Sequence, residues 1–115
     1  KGIRYSDTKG ARMRNITREA VDAFLSGREW KKDNTEVKVE VRKGRRSKVT
    51  MLLHGNAIAV TGQFDSHPGL RISTAGWDTN TTRERLNGLP HVYVYRKKGQ
   101  LHLNGKPWDG DWVTA

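Results

Sequence analysis

The sequence predicts an α+β fold: a mainly antiparallel sheet of about six strands, one N-terminal helix and one short second helix. Three observations carry that prediction. In Glu36-Val37-Lys38-Val39-Glu40-Val41-Arg42 the valines take every second position and charged side chains take the others, the period of a strand with one wet face. Between residues 17 and 27, Ala20, Val21, Phe24 and Leu25 recur at helical spacing. Turn residues then divide the remainder into short segments in the order β-β-β-β-α-β-β.

Residues 1–14 contain Gly2, Gly10 and little apolar content, and read as a flexible basic arm on a chain that is otherwise a single domain, 1–115. Thr17 is placed as N-cap of the first helix, with Ile16 and Val21 at hydrophobic-staple spacing and Gly27 as its stop. Arg28 to Asn34 is a polar connection, with Trp30 positioned to pack back onto the core. The strand at 36–42 leads through a basic turn at 43–46 into 48–54, and Gly55-Asn56 turns the chain into 57–61. A loop at 62–69 precedes a short strand at 70–73. Thr81 and Glu84 have capping-box spacing for a helix over 81–87, with Gly88 as a left-handed stop. His91–Arg96 and Leu101–Asn104 pair as a hairpin whose turn needs Gly99. Trp108-Asp109-Gly110-Asp111-Trp112 reads as a turn that anchors the C-terminal tail. The core implied by these elements draws on Val21, Phe24, Leu25, Val37, Val39, Val41, Val49, Met51, Leu53, Ile58, Val60, Ile72, Trp77, Leu86, Val92, Val94, Leu101 and Leu103.

Composition narrows the function classes. The 115 residues carry 22 Lys+Arg against 12 Asp+Glu, a net charge of +10, and only 34% are hydrophobic. The absence of cysteine removes disulfides, thiolate metal sites and cysteine nucleophiles together. No apolar run has the length of a membrane span and the basic start lacks the apolar stretch of a signal peptide, so the expected setting is soluble and cytoplasmic, with no membrane partner. The charge is uneven: residues 1–48 hold 15 basic and 7 acidic groups, whereas 49–115 hold 7 and 5. Its densest part is the run Arg42, Lys43, Arg45, Arg46 and Lys48, and a smaller cluster is Arg96, Lys97 and Lys98. Either cluster alone would serve solubility; together with a basic arm they point to an anionic partner, DNA or RNA.

Leu53-His54-Gly55-Asn56-Ala57-Ile58-Ala59 and, more specifically, Ile72 to Asn87 with its pattern GW-x-T-x-TT-x-x-RLN resemble a group of small proteins encoded by bacteriophages. The resemblance extends through Leu101 to Trp112 and so covers about residues 50–112. It implies a phage-encoded protein acting in an infected bacterial cell, and transfers no catalytic or binding residue.

Two groups of residues carry candidate chemistry. By strand alternation His91, Tyr93 and Tyr95 share one face, and His102 on the partner strand joins them if the valines and leucines face inward. Such a face shields backbone, or stacks bases while nearby cations follow the phosphates. The second group, Thr81, Thr82, Arg83 and Arg85, would make an anion site at a helix N-terminus; read structurally, the same run is a corner in which Trp77 plugs the core edge. The favoured function is therefore a non-enzymatic nucleic-acid-binding protein contacting phosphates through its basic turns, with Tyr93 and Tyr95 as stacking residues and no cofactor or metal. The alternatives are a phage inhibitor of a host protein or defence complex, and a small metal-independent nuclease using His91 and His102. A homodimer through a sheet edge is a further expectation.

Overall fold

The computed structural model describes residues 15–42, 45–62 and 69–115, with side chains at all of these except 42 and 45–47. The arm expected at 1–14, most of the 62–69 loop and the side chains of Arg42, Lys43, Arg45 and Arg46 lie outside the described residues. The architecture is α+β. Helix α1 (Asn15–Ser26) precedes strands β1 (Trp30–Lys32), β2 (Thr35–Arg42), β3 (Arg45–Leu53), β4 (Asn56–Gly62) and β5 (Gly69–Ile72). Helix α2 (Asn80–Asn87) is followed by β6 (Val94–Lys97), β7 (Gln100–Leu103), β8 (Lys106–Pro107) and β9 (Val113–Thr114). A six-stranded antiparallel sheet runs β1-β2-β3-β4-β5-β9, so the C-terminal strand closes the sheet beyond β5. The aromatic hairpin forms a second, three-stranded sheet, β6-β7-β8. Both edges of the larger sheet are short, three residues at β1 and two at β9, and β1 carries the exposed Lys31 and Lys32.

Helix α1 packs on β1, β2 and β3, and α2 joins α1 to β4 and β6. Thr17, Ala20, Val21, Ala23 and Phe24 form its buried arc. Leu25 lies beyond the edge of that arc, one residue further round than Phe24, and is exposed rather than in the core. Val41 is exposed for a different reason. It stands near the end of β2, where burial falls off along one face: Val37 is buried, Val39 half-buried and Val41 exposed, and the bulge in the β2–β3 pairing there lies on β3, with Ser47 as the extra residue. In the β3–β4 pairing the extra residue is Ile58 on β4, and Ile58, Ala59 and Val60 are buried in succession where alternation would expose one. Trp30 belongs to β1 and packs against the core.

Thr17 is not the N-cap of α1. It sits within the helix, fully buried, and its hydroxyl accepts a hydrogen bond from Arg85 Nη1 at 2.6 Å. Arg85 is itself 1% exposed. Its Nε donates to Thr35 Oγ1 at 3.0 Å, Nη2 to Asn34 Oδ1 at 3.4 Å, and Nη1 to Glu84 Oε1 at 2.8 Å. One guanidinium thus ties α1, the β1–β2 turn and β2 to α2. The N-cap of α2 is Thr79 rather than Thr81: its Oγ1 accepts from the Thr82 amide at 3.1 Å. Gly88 ends the helix at φ −77°, not in the left-handed region. Glycine is required there by proximity, because a Cβ would stand 2.8 Å from Val21 Cγ2 and 3.0 Å from Thr17 Cγ2.

Replacing Arg85 removes the donor that satisfies two fully buried hydroxyls. Arg85→Met is expected to lower unfolding stability by about 3 kcal/mol or more in denaturant titration, and Arg85→Lys by a similar amount, since an ammonium lacks the fork that spans Thr17 and Thr35. Thr17→Val and Thr35→Val should each cost about 1.5–3 kcal/mol, the range for a hydrogen bond to a charged group.

Candidate functional site

The three-stranded sheet is built to present rings. Val94, paired with Leu103, and Leu101, paired with Arg96, bring apolar side chains to the core side. Alternation then places Tyr95, His102 and Pro107, which lie in one cross-strand row, on the other side. Tyr95 and His102 are stacked, 5.0 Å between ring centroids and 3° between planes, and Tyr93 stands 4.9 Å from Tyr95 at a tilt of 35°. His102 Nδ1 lies 3.0 Å from the Gln100 carbonyl, which can only accept, so Nδ1 is the donor of this bond.

Tyr93 lies just before β6 and owes its position to Asn104. Asn104 takes φ 50° at the first position of a two-residue turn with Gly105. Its Oδ1 accepts from the Tyr93 amide at 2.9 Å, its own amide donates to the Tyr93 carbonyl at 2.8 Å, and its Nδ2 donates to the His91 carbonyl at 3.1 Å. Asn87 does the same for Val94, donating to its carbonyl and accepting from its amide. His91 does not join the ring row in a strand: it takes φ 62° in the turn after α2, before β6 begins.

The basic residues divide. Lys97 lies on the ring face by alternation and is exposed, as is Lys98 in the adjacent turn with Gly99. Arg96 leans the other way: its guanidinium is bonded to Asp78 and to the Gly99 carbonyl. Asp78 also binds Arg83, which reaches Asn80 as well, so one carboxylate holds two arginines and joins the start of α2 to the hairpin. Lys48 lies half-buried on β3 with Glu40 and Gly62 as its strand partners. Of the residues grouped as an anion site, Arg85 is inside the core and Arg83 is engaged by Asp78, so neither stands with Thr81.

Thr81 and Thr82 instead line a cleft of about 490 Å³ with Trp77 and Thr79, floored by Leu53 and Ile58. Trp77 does not plug the core edge. Ala75 and Gly76 take φ 55° and 83°, the Trp77 amide donates to the Thr74 carbonyl at 2.9 Å, and this tight turn leaves the indole 62% exposed. The buried tryptophan is Trp108, whose Nε1 donates to the Asp111 carbonyl at 2.9 Å. Among the described residues, no three His, Asp or Glu side chains come together as a metal-binding group would, and no helix is long and apolar enough to cross a membrane.

With this geometry in view, comparison with known families finds one match: the model of the Kyanoviridae Gp96 protein family covers residues 13–114. The chain belongs to that family. It is thus phage-encoded, as the resemblance of residues 50–112 implied, and the family's span adds the first helix, β1, β2 and the start of β3 to the matched region. No curated protein and no solved structure matches the chain. The ring row, the Asp78 clamp and the threonine cleft all fall within the family's span.

Asn104→Gly keeps the positive φ of the turn but removes the side chain that fixes Tyr93. Proton NMR of this variant should lose the Tyr93–Tyr95 ring contacts while Tyr95–His102 contacts persist, with a stability loss of about 1–2 kcal/mol. Persistence of the Tyr93–Tyr95 contacts would show that the ring row is held by its own packing.

Proposed function

We propose that this phage protein binds single-stranded nucleic acid on the exposed face of its small sheet. The observation that carries the reading is the row of the exposed Tyr93 and the half-buried Tyr95 and His102 beside the exposed Lys97 and Lys98, in a chain of net charge +10. Every base has a π face, so stacking on such rings tolerates any sequence, and it requires bases that are not already stacked in a duplex. The lysines supply the phosphate contacts, and the basic run Arg42 to Lys48 and the N-terminal basic residues add positive charge that steers the polyanion to the protein. Binding is non-catalytic in this reading, and its setting is the infected host cell.

Fluorescence anisotropy with labelled single-stranded DNA, duplex DNA and RNA at two or more salt concentrations tests it. Single strands should bind more tightly than duplex, and log K should fall against log salt by about 0.7 for each phosphate neutralised. Tyr93→Ala and Tyr95→Ala should each weaken single-strand binding by roughly fivefold to 150-fold at constant salt slope. Lys97→Gln with Lys98→Gln should lower the slope by about 1.4, and neutralising Arg42, Lys43, Arg45, Arg46 and Lys48 should flatten it further. No binding at low salt, together with a stoichiometric protein recovered from nuclease-treated host lysate, would replace this reading with that of a host-protein inhibitor.

A further inference from the structure

Arg85, Leu86 and Asn87 of the 76–87 run serve the core and the start of β6. Trp77 and Thr81 do not, and together with the helix cap Thr79 and the buried Thr82 they line the cleft of about 490 Å³. Its floor is apolar: Leu53 and Ile58 are 5% and 1% exposed. Its rim is polar, with His54 and Asn56 contributed by the β3–β4 turn, and among the described residues no Lys, Arg, Asp or Glu lines it. That composition disfavours a phosphate or carboxylate inside, since an ion would enter without a counter-charge. The amides of Thr82 and Arg83 are also already bonded to Thr79. The polar capacity that remains suits a neutral ligand. Thr79 and Thr82 share a hydrogen bond at 3.0 Å, whereas the Thr81 hydroxyl has no partner among the described residues.

Trp77 supplies the other half of the site. A large ring left 62% exposed at the lip of an apolar-floored cleft gains burial when a second flat ring lies against it. We infer that the cleft is a binding site for a planar, uncharged heteroaromatic ring, a nucleobase, stacked on Trp77 with its polar edge toward Thr81, His54 and Asn56. A plain aromatic side chain would satisfy the indole but leave those rim groups unpaired, which is what favours a base over a protein partner. The site is separate from the Tyr93–Tyr95–His102 face and does not depend on strand binding there.

The test uses the full chain and uncharged nucleosides, so that phosphate contacts contribute nothing. Titration of 15N-labelled protein with adenosine, guanosine, cytidine and uridine should give saturable shifts at the Trp77 indole N–H, His54 and the 74–82 amides, with dissociation constants on the order of a millimolar. Trp77→Ala should weaken binding at least about fivefold while leaving the thermal unfolding midpoint near that of the parent, because the ring is exposed; Trp77→Phe should recover part of the loss. Thr81→Val, which keeps the shape and removes the hydroxyl, should also weaken it about fivefold. The double variant Tyr93→Ala/Tyr95→Ala should leave the nucleoside-induced shifts at the Trp77 indole, His54 and the 74–82 amides unchanged whatever it does to shifts on the ring face, so a failure of the strand-binding reading and a failure of this one remain distinguishable. Absence of saturable shifts, shifts confined to Tyr93, Tyr95 and His102, or stronger binding of N-acetyltryptophanamide than of any nucleoside at the same signals would each overturn the inference.

Discussion

The fold turns on a charge placed where charge is costly. A guanidinium 1% exposed is tolerable only if its donors are met and its charge is partly answered, and Arg85 obtains both by drawing Thr17, Asn34, Thr35 and Glu84 around it. Those partners lie on α1, at the β1–β2 turn running into β2, and on α2 itself, so satisfying one side chain fixes three pieces of chain that are distant in sequence. Packing follows. With α2 held against α1, Gly88 meets Val21 and Thr17 at distances that no side chain would permit. The end of α2 then delivers Asn87 to Val94, where it stands in for a neighbouring strand and starts β6. The small sheet and its rings are thus positioned, through two side chains, by a buried hydrogen-bond network on the far side of the helix.

What was legible in the sequence was what local periodicity encodes. The valine alternation of 36–42, the stripe of α1, the hairpin about Gly99 and the convergence of Tyr93, Tyr95 and His102 all express a two- or 3.6-residue repeat. What was not legible depended on single-residue events. Val41 satisfies the alternation as well as Val37 does, but it stands near the end of β2 and is exposed, and alternation tells which face a side chain takes, not where along the strand the core ends. Thr17 has the chemistry of an N-cap, and only the tertiary partner Arg85, 68 residues away, decides that its hydroxyl is used otherwise. Trp77 and Trp108 are alike as sequence; the positive φ values of Ala75 and Gly76 turn one out, and the Asp111 carbonyl holds the other in. The Ala75-Gly76 pair was the available signal, since a residue followed by glycine is the mark of the tight turns found here also at His54-Gly55, Lys98-Gly99 and Asn104-Gly105.

The 76–87 run is best understood as two devices in one segment. Its C-terminal part, Arg85-Leu86-Asn87, faces inward and organises the fold; its N-terminal part, Trp77 with the three threonines, faces a cleft and keeps an indole in solvent. A short helix suits this arrangement because eight residues give only two turns, so that its cap and its buried stripe are a few residues apart and move as one body. Substitutions should therefore separate at the extremes of the run, Arg85 and Leu86 governing whether the chain folds and Trp77 and Thr81 what the cleft accepts, while Thr79 and Thr82 serve both through the helix cap.

Asp78 stands between the two surfaces and sets the character of the charge they carry. It holds Arg83 of α2 and Arg96, which alternation already turns away from the rings, so the exposed cations beside the rings are Lys97 and Lys98 rather than arginines, which would offer planar, bidentate recognition. A guanidinium fork reads the edge of a particular base, whereas an ammonium on a flexible stem follows a phosphate without regard to sequence. The pairing of stacked rings with lysines thus favours contact with any strand over recognition of one. Discrimination, on the proposed reading, would fall to the cleft: its polar rim would supply the donors and acceptors that distinguish one base edge from another, and Trp77 the face on which that base would lie.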